Sequence, residues 1–146
     1  MGEAAGPPPV SGAFLPMALG RRVRDEVEAA LRTEGIAVRH LSALGHLAPD
    51  PGLSYSELAR RTGVTPQSMQ ATLTALEQRG AVARDTDPGR GRTAELHVTA
   101  EGARLRRVGT GVVTAVDERL RTRLDDETYD ALTRALAALF RAEEGR

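Results

Sequence analysis

Residues 53–102 read LSYSELARRTGVTPQSMQATLTALEQRGAVARDTDPGRGRTAELHVTAEG, and this stretch decides the fold. Ser56, ahead of Glu57-Leu58-Ala59-Arg60-Arg61, reads as the N-cap of a compact helix that stops at Gly63, with Leu53-Ser54-Tyr55 as an extended link before it. Thr65 is a good cap for the next helix. Pro66 then takes the first helical position, where a missing N–H costs nothing. Met69, Thr72, Leu73 and Leu76 recur at helical spacing as the buried stripe of that helix, and Gly80 closes it. Ala81 to Thr86 and Glu95 to Val98 have strand character and flank Asp87-Pro88-Gly89-Arg90-Gly91-Arg92, a loop of turn formers and arginine. Thr99 caps a further helix. Helix, tight turn, helix, strand, loop, strand is the order of a winged helix-turn-helix.

Outward from this module the pattern is helical on both sides. Residues 1–16, rich in Gly, Pro and Ala, are expected to form a flexible arm. Leu19, Val23, Val27, Ala30 and Leu31 then mark an amphipathic helix ended by Gly35. Ile36, His40, Leu41, Leu44, Leu47 and Ala48 mark a second, stopped by Pro49-Asp50-Pro51-Gly52. After the module, Leu105, Val108, Val112, Val116, Leu120 and Leu124 line one side of a long helix. Asp125-Asp126-Glu127 places acids where a helix N-terminus favours them, and Tyr129, Leu132, Leu136, Leu139 and Phe140 form the last apolar face. The expected architecture is mainly α with a small β-wing: one domain over 17–146, with the winged helix-turn-helix at 53–102 flanked by dimerisation helices at 17–52 and 103–146. The terminal stripes carry more apolar surface than a small monomer needs, so pairing between two copies is favoured over an intramolecular helix pair.

Composition narrows the function classes. The chain has 146 residues, 40% hydrophobic and 27% charged, enough for a real core. Aromatics are only 3% with no Trp, which argues against a single-strand binder built on stacking platforms. The absence of Cys excludes disulfides, thiolate metal sites and cysteine nucleophiles. No apolar run approaches the roughly 20 residues of a membrane span, and the first residues lack the pattern of a secretory signal, so a cytoplasmic location is expected. All 20 basic residues are Arg, balancing 20 acids, a bias that GC-rich codon usage explains as readily as phosphate recognition. Between Ser56 and Arg107, nine Arg face six acids, so this middle is basic relative to its flanks. His40, His46 and His97 have no ligand-like spacing, and no metal or cofactor is expected. No nucleophile elbow, paired-carboxylate signature or phosphate loop occurs, so an enzyme is not expected.

At this point the chain resembles the multiple-antibiotic-resistance regulator (MarR) family of bacterial transcription factors. The resemblance is carried by Ser56-Glu57-Leu58-Ala59, the turn Gly63-Val64-Thr65, Leu76-Glu77 before Arg79-Gly80, and Val98-Thr99 ahead of Gly102, in that order and spacing. It implies a homodimer knitted by the terminal helices, a double-stranded pseudo-palindromic DNA operator, and a repressor released by a small aromatic or acidic effector. A winged-helix protein acting constitutively on DNA, or through protein partners without an effector, is the alternative. One departure stands out: the family's wing carries an Asp-x-Arg pair, whereas Arg90 and Gly91 stand in its place here, so either Arg90 or Arg92 substitutes or the wing contact is weaker.

A recognition helix enters the major groove with its N-terminal residues against base edges. The candidate base-facing set is Thr65, Pro66, Gln67, Ser68, Gln70, Ala71 and Thr74: Gln pairs with adenine, Ser with several partners, and Ala71 can touch a thymine methyl. Arg60, Arg61, Arg84, Arg90 and Arg92 are the candidate phosphate or minor-groove contacts, each of which can equally be a solvated charge. His40 falls on an apolar stripe, as a core histidine or as the wall of an effector pocket with Arg22 and Arg24 supplying counter-charge.

Overall fold

The structure, a computed structural model, describes residues 10–85 and 95–144, and the chain divides into two compact units, 1–110 and 111–146.

In the first unit, α1 (Phe14–Arg32) starts earlier than its apolar spacing suggests. Ser11 Oγ accepts from the N–H groups of Ala13 (3.2 Å) and Phe14 (3.3 Å), and Pro16 lies in the first turn, where no intrahelical donor is lost. Residues 14–16 are therefore helix, not arm. Val27 and Leu31 are its buried residues. Thr33 caps α1, and Gly35 makes the turn at φ +68°, where side chains are disfavoured. Ala37 is extended and α2 (Val38–Leu47) follows, burying His40, Ala43, Leu44 and Leu47.

The next helix, α3 (Tyr55–Thr62), is capped by Ser54 rather than Ser56: Ser54 Oγ accepts from Glu57 N–H at 3.2 Å. Both serines are competent caps, but only Ser54 has Glu three residues on, the spacing that favours a helix start. Gly63, at φ +69°, ends α3 in the left-handed conformation that Gly adopts freely. Thr65 and Pro66 open α4 (Pro66–Gln78) as the sequence predicts, with Thr65 Oγ1 accepting from Ser68 N–H at 3.1 Å. Met69, Thr72, Leu73 and Leu76 are all buried, and α2, α3 and α4 pack on one another.

Antiparallel strands β1 (Val82–Asp85) and β2 (Glu95–Val98) form the wing stem, with Val82 opposite Val98 and Asp85 opposite Glu95. Gly52 N–H donates to Leu96 O at 2.9 Å, tying the α2–α3 loop to β2. The wing loop, including Arg90 and Arg92, lies outside the described residues. Thr99 anchors the start of α5 (Ala100–Arg123) three ways. Its N–H donates to Ala81 O (3.1 Å), its hydroxyl donates to Gly80 O (2.5 Å), and its oxygen accepts from Gly102 N–H (3.2 Å).

The second unit holds the end of α5 and α6 (Asp126–Glu144). Asp125 caps α6 by accepting from Thr128 N–H at 2.8 Å. Tyr129 is buried, its hydroxyl donates to Asp117 at 2.6 Å, and the Arg121 guanidinium lies 4.5 Å over its ring while pairing with Asp126 and Asp130. Leu132, Leu136, Leu139 and Phe140 are exposed, as is Leu124. In α1, Phe14, Leu15, Met17 and Leu19 are exposed likewise. Apolar side chains at helical spacing without cover are surface in want of a partner.

Candidate nucleic-acid interface

The sequence of α4 divides its side chains cleanly. With Met69, Thr72, Leu73 and Leu76 turned inward, Pro66, Gln67, Ser68, Gln70, Ala71 and Thr74 are all exposed. Two amides, one free-facing hydroxyl and a methyl thus sit within the first turns, at a helix N-terminus whose dipole attracts phosphate. Thr65 is also exposed, but its oxygen already accepts from Ser68 N–H, so its first task is to start the helix. Thr72 fixes the other side of that turn by donating to Ser68 O at 2.9 Å.

The described arginines expected to contact phosphate are not bare charges. Glu57 accepts from Arg60 Nε (3.0 Å) and Nη2 (2.6 Å), and also from Arg61 Nε (3.1 Å). Arg61 reaches Asp50 as well, at 2.9 Å, and Arg84 Nε donates to Glu77 at 2.8 Å. The hydrogen bonds from Arg60 and then Arg61 hold the Glu57 carboxyl down at about 2, so it is ionised at any physiological pH. Arg60 is the most accessible of the three, with 72% of its side chain exposed.

The three residues expected to share an effector pocket do not line one cavity together. Arg24 lines an open groove of 470 Å³ with Val38, Arg39, Ser42, the turn residues Thr62 to Val64, and Ser68, Met69 and Thr72 of α4. Arg22 belongs to a shallower groove on α1 with Phe14, Met17, Ala18 and Arg21. His40 lines neither. It is buried, and its Nδ1 accepts from Ala37 N–H at 3.0 Å, closing the start of α2. Burial, reinforced by Arg39 and Arg79 and opposed by Glu28, lowers its pKa below the usual histidine value. Its Nε2 finds no hydrogen-bond partner among the described residues.

Sequence spacing could have placed Val38, Arg39 and Ser42 together on the side of α2 away from Leu44, but not the α3–α4 turn that closes the groove over them. Among the described residues, no group of three or more His, Asp or Glu is placed to hold a metal ion, and no helix is long and apolar enough to cross a membrane.

Residues 34–93 match the sequence profile of the MarR family. The chain is 40% identical over 111 residues to the HTH-type transcriptional repressor Rv2887 of Mycobacterium tuberculosis, spanning 76% of this chain and 80% of that one. It is 33% identical over 112 residues to a putative transcriptional regulatory protein for the hcr operon of Thauera aromatica, spanning 76% of this chain and 67% of that one. Among solved structures, it is similar to the M. tuberculosis protein Rv2887 in complex with DNA, with a TM-score of 0.76 at 35% identity over 90% of this chain and 98% of that one. The same protein in complex with salicylic acid gives a TM-score of 0.74 at 36% identity, again over 90% and 98%.

Proposed function

The chain belongs to the MarR family of transcriptional regulators, and from that premise we propose that it works as a homodimeric repressor that binds a pseudo-palindromic operator and leaves it on taking up an aromatic acid. It acts by binding rather than catalysis, in the cytoplasm where its DNA lies. The observation that carries the reading is α4: one face fills the core and the other presents Gln67, Ser68, Gln70, Ala71 and Thr74 to solvent. An α-helix fits the major groove, where Gln pairs bidentately with adenine and Ala packs on a thymine methyl. Arg60, Arg61, Arg84 and the wing residues Arg90 and Arg92 are assigned to phosphate or the minor groove.

Dimerisation is supported by the uncovered apolar residues of α1 and α6, since a two-fold dimer presents two recognition helices to two half-sites. The effector class is supported by the relative whose structure contains salicylic acid. In this chain the groove of Arg24 and Arg39 offers two guanidinium groups to a carboxylate and apolar wall from Val38, Val64 and Met69 to a ring. Ser68 borders this groove and also belongs to the exposed face of α4, so a ligand there meets a base-reading residue directly.

The test is titration of the protein on duplex DNA from upstream of its own gene, with and without salicylate, at several salt concentrations. Tight, salt-dependent binding relieved by salicylate is expected. Equal affinity for upstream and unrelated duplexes would overturn operator recognition. Operator binding indifferent to salicylate and related aromatic acids would overturn the effector assignment alone.

A further inference from the structure

We propose that Glu57 is an electrostatic latch that lowers the affinity of the DNA-binding face for phosphate, occupying Arg60 and Arg61 so that a duplex must displace it to recruit them. The inference rests on the DNA-binding reading above and goes beyond it, because it assigns a role to an acid on a surface meant for a polyanion.

The geometry is specific. Glu57 lies in the first turn of α3, its backbone N–H fixed by Ser54 Oγ at 3.2 Å. Its two oxygens take three guanidinium donors from two arginines, the Nε and Nη2 edge of Arg60 and the Nε of Arg61. The Nε–Nη2 edge of Arg60 is a pair of parallel donors suited to bidentate binding of a carboxylate or a phosphate. Here a carboxylate holds it. Asp50 holds Arg61 from the other side at 2.9 Å, and Glu77 holds Arg84 at 2.8 Å. Each described arginine assigned to phosphate therefore has an acid partner.

Two consequences follow from charge. A phosphate approaching Arg60 must displace Glu57 or accept the outer donors beside a like charge. Non-specific binding consists almost entirely of phosphate neutralisation and counterion release, so it bears the full cost of that competition. Operator binding that recruits the same arginines bears that cost as well, and base contacts from α4 keep it tight in spite of it. The latch thus lowers the electrostatic share of affinity on every sequence, and base contacts decide which duplex is still held.

The test is Glu57→Gln, which keeps the side-chain length and the preference for this helix position but removes the charge. The full-length protein is titrated by fluorescence anisotropy on its operator and on a scrambled duplex over a range of salt. The variant is expected to bind each duplex about fourfold to 25-fold more tightly, from roughly twofold to fivefold per protomer, with a steeper salt dependence. Adding Arg60→Ala and Arg61→Ala to Glu57→Gln should abolish the gain. In the wild-type background, the same two alanines should cost less affinity than they cost in the Glu57→Gln background. An unchanged affinity and salt slope on both duplexes in Glu57→Gln would overturn the latch, and a gain that survives the loss of both arginines would overturn it as well. Wild-type protein that binds neither duplex would instead refute the DNA-binding reading itself.

Discussion

Replacing Gly102 by Ala should destabilise the protein although Ala is the better helix former. Gly102 is buried in the first turn of α5, directly over Ala81, in the link between α4 and β1, and over Val98 at the end of β2. A Cβ there would fall far inside contact distance of Ala81 O and 2.7 Å from Val98 Cγ1, with Ala81 C at 3.1 Å. The main obstacle is backbone, and Ala81 O already accepts Thr99 N–H at 3.1 Å, so neither side can yield without loosening the α5 anchor. Overpacking of this kind costs about 1–3 kcal/mol or more, against a gain of about 1 kcal/mol for Ala over Gly in a helix. Because the obstacle is backbone the upper end applies, and the net loss should be about 2 kcal/mol, a fall in melting temperature of roughly 4–8 °C for a chain of this size. Gly45→Ala is the control: Gly45 is exposed within α2, with nothing near the added methyl, so it should gain up to about 1 kcal/mol. Both variants are compared with wild type by thermal denaturation at one protomer concentration, since association couples to stability. A Gly102→Ala midpoint at or above that of Gly45→Ala would refute the close seating of α5 on Ala81 and Val98.

Acid should weaken the fold through His40. Its folded-state pKa lies below the unfolded value of about 6.5, so the unfolded chain binds the proton more readily, and stability falls as pH drops below that value. Melting temperatures measured between pH 7.5 and 5 should show this loss in wild type and a shallower one in His40→Ala; parallel curves would remove His40 as the cause. Leu136→Asp with Phe140→Asp, on residues 43% and 66% exposed, should leave α6 intact but yield a monomer by sedimentation at micromolar concentration, with tight DNA binding lost. A dimer of undiminished affinity would move the interface off α6.

The parts of the fold legible in the sequence are those with local causes. Thr65 with Pro66, and Thr99 three residues before Gly102, are cap signals whose partners lie within one turn, and both appear as expected. The cap of α3 was equally local but ambiguous, with serines at 54 and 56, and the Glu57 spacing that resolves it was in plain view. The stripe of α4 is legible because 3.6-residue periodicity fixes which side of a short helix is buried, and the exposed set follows by subtraction. The position of Arg84 alone suggests phosphate, whereas its bond to Glu77 depends on β1 turning back beside α4. His40 illustrates the same limit: its place on the stripe was visible, but the Ala37 N–H that occupies Nδ1 comes from the extended residue just before the helix. The groove of Arg24 and Arg39 gathers four helices and their turn, which no single period encodes.

The central claim is that α4 reads bases through its exposed face, in a two-fold pair. The most direct measurement is selection of the full-length protein against a random duplex library, repeated with Gln70→Ala. The account predicts an inverted repeat whose half-sites are centred about one helical turn apart, with the variant relaxing preference at one position per half-site at a cost of about 1–3 kcal/mol. No enriched sequence, a single asymmetric site, or a profile unchanged by Gln70→Ala would contradict it.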